Sequence, residues 1–544
     1  MTFDTISSED PNQGPSLGTG GGGTAAMPSG ARATALTTAV SLVLIGGVVT
    51  AAVRGSGHSG TAESLAPAST FAFAQVDLSL ADGQSSALSS FLAHFPDAPT
   101  KNGNGSLRDR VLRAMFRDSS GPHVNYDKDV KPWLGDHAAV AGWLDRSGKP
   151  QAEFLLQSKN DSAARTSLHR LAPRLGLRFS KGYAVLGQSQ QLADEALAEA
   201  QKSSLSGDAH FHSDLAKLSG PQVISGWLDV SRAGDALKHA AKGLNPLATM
   251  PGLSVGGQSL QQLKGRAVIG LHATKSYAEL VARGIDAGST PSTAGAPSDL
   301  MTRLPDATIG AVEIASPGKI VSAAWGFLAG ILSVRGSFSA STSMPGAYGG
   351  TLNLACPAGQ ACPSTPGVFT PKNTTHVFRP PSPVDSIEKA TGLKLPGDAV
   401  TLLGSAMVAS YGGLQGGAPN IALVTKPADL AAARAIAEHS RDVVAHSAGL
   451  QLAVDSAGSE LVVANNSAYA ALVRTGGHLG SQARFAQAMG DLPDTVSFAA
   501  YVDLADVLPL IAHGQRDADH FDSVGMWAGR VGNEDRMQLR LVVR

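Results

Sequence analysis

Four short segments of this chain share one pattern, and that pattern constrains the fold more than any other feature. They are "FAFAQVDL" (71–78), "ISGWLDV" (224–230), "TIGAVEI" (308–314) and "FAAYVDL" (498–504). Aligned on their acids, Asp77, Asp229, Glu313 and Asp503, each has a small residue three positions earlier: Ala74, Gly226, Gly310 and Ala500. Apolar residues flank every acid: Val76 and Leu78, Leu228 and Val230, Val312 and Ile314, Val502 and Leu504. Strand alternation then puts the acid on one face and its apolar neighbours on the other. Pro67, Pro221, Pro305 and Pro493 precede the segments, and proline suits the start of a strand, where no ladder donor is needed. The small residues predict a close approach above the sheet, so that Gly226→Leu overpacks and costs roughly 1–3 kcal/mol.

Other pieces recur in the same order. "AEFLLQSKNDSAARTSLHRLA" (152–172), "AVIGLHATKSYAELVARG" (267–284) and "IALVTKPADLAAARAIAEHS" (421–440) each read as an apolar strand ending in Ser/Thr-Lys with a helix after it. Pro427 suits a first helical turn. "YAVLGQSQQLADEALAEA" (183–200) parallels "LVVANNSAYAALVR" (461–474), with Ser189 and Asn466 as expected N-caps. "WLGDHAAVAGWL" (133–144) holds the place that "LPGDAVTLLGSAMVAS" (395–410) holds later. The expected fold is α+β. Two tandem copies of a mixed or antiparallel sheet domain, residues 63–286 and 303–544, are joined by a linker at 287–302. The second copy carries an insertion rich in Gly, Pro and Ser at about 336–383, which the composition places on the surface. "IVSAAWGFLAGILSV" (320–334) reads as a core helix, too short for a membrane span.

At 544 residues the chain exceeds one ordinary core. The formal charge is −1, from 43 basic and 44 acidic residues. Nucleic-acid binders carry a basic excess, so no nucleic-acid partner is expected. Residues 1–33 include a Gly/Ser/Pro-rich tract that cannot offset its ordering entropy and is read as a disordered cytoplasmic N-terminus. Between Arg32 and Arg54 lie 21 residues without a charge, enough for a helix of about 30 Å. Residues 34–53 are therefore expected to form a transmembrane helix in the cytoplasmic membrane, followed by a linker at 54–62. The competing reading is a cleaved signal peptide with "VTA" (49–51) at its end. Both readings put residues 55–544 outside the cytoplasm. Cys356 and Cys362 are the only cysteines and lie in a Pro/Gly-rich stretch. No four-ligand zinc set surrounds them, so a disulfide is expected, with two free thiols as the alternative. Disulfides persist in oxidising compartments.

Chemical signatures are sparse. The chain has no Walker A, H-E-x-x-H or C-x-x-C pattern. Ser316–Lys319 and Ser386–Lys389 match S-x-x-K, but the K-T-G that acyl-transfer enzymes pair with it is missing. His210 and His212 have strand-like spacing without a third metal ligand, and the stretch reads as a helix start. Lys159, Lys275 and Lys426 end strands and read as solvated. The four acids read as caps or N-terminal charges for the helices that follow them. No catalytic, cofactor or metal residue is assigned.

"LAPASTFAFAQVDLSLADGQ" (65–84), "SFLAHFPDAP" (90–99) and "VKPWLGDHAAVA" (130–141) give the chain a resemblance to actinobacterial single-pass membrane-anchored extracytoplasmic proteins of an uncharacterised domain-of-unknown-function family. The resemblance spans most of residues 60–544. It implies topology and location, and no activity. The expected role is non-enzymatic binding or scaffolding at the cell envelope, with an envelope protein or ligand as partner. Two alternatives stand beside it: a ligand or lipid carrier or sensor with a cleft between the copies, and an envelope hydrolase whose site has no familiar motif.

Overall fold

Alternating apolar residues and turn-forming glycines make this chain a sheet protein, and a single sheet takes up most of its strands. The computed structural model describes residues 62–78, 84–95, 106–118, 124–241, 254–255, 258–259, 264–286, 296–297, 299–322, 325, 383–415, 418–448, 451–511 and 518–544. The expected N-terminal disorder, the 34–53 membrane helix, most of the 336–383 insertion, both cysteines and most of the 320–334 helix lie outside these residues. No helix among the described residues is long and apolar enough to cross a membrane.

The first half of the chain supplies strands β1 (Thr70–Asp77), β2 (Leu134–Leu144), β3 (Pro150–Ser158), β4 (Gly176–Ser180), β5 (Tyr183–Gly187), β6 (Ile224–Asp229), β7 (Arg266–Ala273) and β8 (Tyr277–Ile285). The second half supplies β9 (Gly310–Ala315), β10 (Ala406–Gln415), β11 (Ala418–Thr425), β12 (Ala453–Ala457), β13 (Glu460–Ala464), β14 (Phe498–Asp503), β15 (Phe521–Val531) and β16 (Glu534–Val543). All sixteen join one sheet, in the order β12-β13-β11-β10-β9-β14-β15-β16-β8-β7-β6-β1-β2-β3-β5-β4. Every pairing within it is antiparallel. Counted from the first strand of each half, both halves run 4-5-3-2-1-6-7-8 from their outer edge inward. They meet where β8 pairs with β16, from Tyr277 opposite Val542 to Gly284 opposite Asp535.

One face of the sheet carries the two main cores. In the first half Phe73, Ala141, Leu155, Val185, Trp227 and Val268 pack with Leu205 and Phe211. Phe211 meets Phe73 and Trp227 edge-on, at 5.4 and 5.6 Å between ring centroids, a favourable aromatic arrangement. In the second half Ala311, Val408, Val424, Tyr501 and Trp527 pack under Tyr469, Val473, Phe485 and Met489. The opposite face is covered by helix Gln84–Ala93, whose Leu88 and Phe91 cluster with Ala273, Leu271 and Leu541. Helix Leu430–Ala448 covers its outer edge through Ala433, Ala437 and Leu461.

Helix starts follow local chemistry. Ser189 Oγ accepts from Leu192 N at 3.2 Å, and Asn466 Oδ1 from Tyr469 N at 2.7 Å, so both expected caps are made. Asn160 caps helix Asp161–Leu171 in the same way. Pro427 falls short of its expected first turn: the helix begins at Leu430, and Asp429 Oδ1 accepts from Ala432 N.

Two readings are corrected. No helix follows Lys275. Residues Tyr277–Ile285 are strand β8, because alternation of Tyr277, Glu279, Val281 and Arg283 against Ala278, Leu280 and Ala282 suits a sheet. Thr274 Oγ1 accepts from the amides of Ser276 and Tyr277 and closes the hairpin turn. The four small residues also lack the predicted tight packing. A Cβ added at Gly226 would sit 3.6 Å from Phe73 O, and one at Gly310 3.9 Å from Tyr411 Cβ, which is ordinary contact. Ala74 faces Gly226, but Ala500 faces Val312, two residues on from Gly310. The opening strand of the second half is thus shifted by two residues relative to the acid alignment, which preserves the face of every side chain.

Candidate functional site

The strand-end acids do different jobs. Asp229 Oδ1 accepts from Arg232 N at 2.9 Å, at the start of helix Val230–Ala241. Asp503 Oδ1 accepts from Asp506 N at 3.1 Å, at the start of helix Leu504–Ile511. Both act as N-caps, as expected. Arg484 adds an ion pair to Asp503 at 2.9 Å. Asp77 is buried, with His137 Nδ1 at 3.6 Å. Glu313 departs from the pattern: it is fully buried, and its Oε2 accepts from Met301 N at 2.9 Å, in the turn Asp299–Thr302. Burial pushes its carboxyl up to about 7.

The other sequence candidates stay apart. Lys159 reaches Asp136 at 3.0 Å, and Lys426 reaches Asp299 at 3.1 Å and Glu460 at 3.7 Å. Lys275 is exposed in the β7–β8 turn. His210 and His212 lie in helix Ala209–Leu215, where Asp208 Oδ1 accepts from His210 N. Ser316 has φ +51° and precedes helical residues 317–322. Ser386 and Lys389 are exposed on helix Pro383–Thr391. Among the described residues, no cluster of three His, Cys, Asp or Glu is arranged to hold a metal.

Two features are not singled out by sequence motifs. The first is Glu153 on β3, which is fully buried with no hydrogen-bond partner for either carboxyl oxygen among the described residues. Burial alone pushes it up to about 8. It faces Ala141 and Gly187 beneath the alanines of helix Gln190–Lys202. Its signal in the sequence is parity: Glu153 shares the inward face with Leu155.

The second feature is the seam between β8 and β16. Glu279 stands opposite Arg540, whose Nε donates to Glu279 Oε2 at 2.7 Å. The guanidinium also lies 4.3 Å from the centroid of Tyr277 and donates to Gln487 O at 2.9 Å. On the same face Lys217 Nζ lies 2.7 Å from Glu534. Asp229 and Asp503 are occupied with helix starts, Glu313 bonds the Asp299–Thr302 turn, Asp77 lies beside His137, and Glu153 is sealed in a core. The seam gathers charged groups that remain partly open to solvent. A spacing motif cannot reveal it, because its residues come from the loop before β6, from β8 and from β16.

In comparison with known proteins, no family model matches this chain, and no curated protein or solved structure matches it significantly.

Proposed function

We propose that this chain is a non-enzymatic binding or scaffolding protein of the cell envelope, held by residues 34–53 as a single membrane span with residues 55–544 outside. We also infer that its two halves are copies of one unit. The shared strand order supports the duplication, as does the seam, where Val281 faces Gln538 at the point a two-fold axis would cross. The observation that carries the binding role is this β8–β16 ladder. It fuses the halves into one broad platform and fills with backbone hydrogen bonds the junction where a cleft would sit. The uncharged 33–53 segment and the family resemblance support the location.

A carrier of apolar ligands is the second reading. It is favoured by Ile269, Met537 and Leu539, each more than a third exposed on the face away from the main cores. Ile269 faces Ala282, which faces Met537, and Leu280 faces Leu539, so these side chains form apolar rows across the seam. Saturable uptake of a fluorescent fatty acid by the purified protein would favour the carrier.

The main reading is tested on the full chain in native membranes. External protease should digest residues 55–544, and the span should resist salt extraction. Protection of the whole chain, or a mature N-terminus near Ala52, would overturn the anchored topology. Turnover of ester, glycoside, phosphate or peptide reporters by the purified chain would overturn the non-enzymatic reading. A Cys356–Cys362 disulfide would fit the same location, and two thiols reactive in the untreated extracellular protein would remove that support.

A further inference from the structure

The two sides of the seam are not charged alike. From the central pair Val281–Gln538, two residues in one direction bring Glu279 opposite Arg540, a matched ion pair. Two residues in the other direction bring Arg283 opposite Arg536, two cations in directly facing positions of an antiparallel ladder, which is unfavourable without compensation. Among the described residues only Glu534 offsets them, at 3.7 Å from Arg283 and 3.3 Å from Arg536. Glu534 is already engaged by Lys217 at 2.7 Å, and these three cations hold its carboxyl below the usual range, with Lys217 the largest influence. Three cations against one carboxylate leave a local excess of two positive charges. The Nε atoms of Arg283 and Arg536 are both buried and have no hydrogen-bond partner among the described residues. Burial, and then the charge of Arg536, lower the pKa of Arg283, consistent with a guanidinium short of negative charge. Ser219 Oγ lies 3.4 Å from Arg283 Nη2 and adds a hydroxyl to the rim.

We propose that this side of the seam is an anion site that takes a phosphate-class oxyanion between Arg283 and Arg536, with Lys217 as the third cation. The charge argues for that class. Inorganic phosphate or a phosphomonoester, averaged over its monoanion and dianion, carries about −1.5 to −2 at neutral pH, near the excess, and planar guanidinium forks suit its oxygens. A carboxylate would leave one charge unmatched. The same chemistry is offered by free phosphate and by the phosphomonoester headgroup of phosphatidic acid. The proposal rests on the seam alone and does not depend on the anchor or on the absence of catalysis.

The test uses the full chain in detergent, with calorimetry and thermal unfolding. Inorganic phosphate should bind once per chain and raise the melting temperature above that in sodium chloride of equal ionic strength. Arg536→Glu recreates the pairing seen at Glu279–Arg540, so it should melt at or above the wild type without phosphate. Its phosphate affinity should fall by about tenfold or more, the loss of a charge-assisted bond. Arg283→Gln should lose affinity similarly and serves as a second variant should Arg536→Glu fold poorly. Competition by phosphatidic acid vesicles, and not by phosphatidylcholine vesicles, would support the site with a lipid headgroup as its source. Phosphate binding indifferent to both would support it with a free anion. Absence of saturable phosphate binding by the wild type, or equal binding by both variants, would overturn the proposal.

Discussion

Glu153 stands directly opposite Ala141 in the β2–β3 ladder, and that neighbour offers its buried carboxyl nothing to bond. The acid is pushed up to about 8 by burial, against an ordinary value of 4.5. The folded state therefore holds this proton more tightly than the unfolded chain. Its contribution to stability is greatest below the unfolded value and is lost as pH rises through about 8. Glu313, raised to about 7 mainly by burial, acts with the same sign over a slightly lower window. Unfolding by urea should show stability falling between about pH 5 and 8, by ~1 kcal/mol per pH unit for each group while it titrates differentially. Glu153→Gln removes one of the two groups and should flatten that fall. A variant with the wild-type slope would show that Glu153 is not titrating in the core.

Asp503 joins a helix start to a neighbouring helix, since its two oxygens accept from Asp506 N and from Arg484 Nη1. Asp503→Ala loses both and leaves the Asp506 amide unmet, for an expected loss of roughly 1–3 kcal/mol. Asp503→Asn keeps the cap and drops only the charge, so it should lose less. Equal losses in the two variants would mean that the ion pair, and not the cap, is what Asp503 supplies.

Legibility followed the range of the interaction. The strand motif, its caps at Ser189 and Asn466 and the roles of Asp229 and Asp503 are local, and the residues themselves carried them. Tyr277–Ile285 reads as helix because "SYAELVARG" contains helix-forming residues, and only pairing on both sides with β7 and β16 makes it a strand. The two-residue shift of β9 depends on contacts nearly 190 residues apart, such as Val312 with Ala500, and keeps the inward and outward alternation that a sequence displays. The Arg283–Arg536 pair has no local signature for the same reason: each arginine alone looks like one polar position in an alternating strand.

Glycine positions give a contrast that distinguishes open from closed parts of the sheet. At Gly525 on β15 an added Cβ would lie 2.5 Å from Ala488 O and 2.8 Å from Met489 Sδ, because helix Ala483–Met489 packs directly on it. Gly525→Ala should cost about 1–3 kcal/mol or more. At Gly226 the same methyl meets only ordinary contacts, so Gly226→Ala should be neutral or stabilising, as removal of a strand glycine often is. Thermal unfolding of both variants checks this directly. A larger loss at Gly226 would mean that other elements press on that face.

The matched side of the seam should be the stronger one. Arg540 and Glu279 are both largely buried, and Arg540 also rests on Tyr277 and bonds the end of helix Ala483–Met489 through Gln487 O. Arg540→Met strands the Glu279 carboxylate in a poorly hydrated position, for an expected loss of about 2–4 kcal/mol. Pairing it with Glu279→Gln removes the stranded charge, so the double variant should be more stable than Arg540→Met alone and the two losses should not add. The readout is urea unfolding of the wild type, both single variants and the double. Because the ladder joins the two halves, Arg540→Met should also loosen the seam, seen as faster amide exchange in β8 and β16 than in β2 and β3. Additive losses, or unchanged exchange at the seam, would mean that the backbone pairing of β8 with β16 holds the halves together without help from this ion pair.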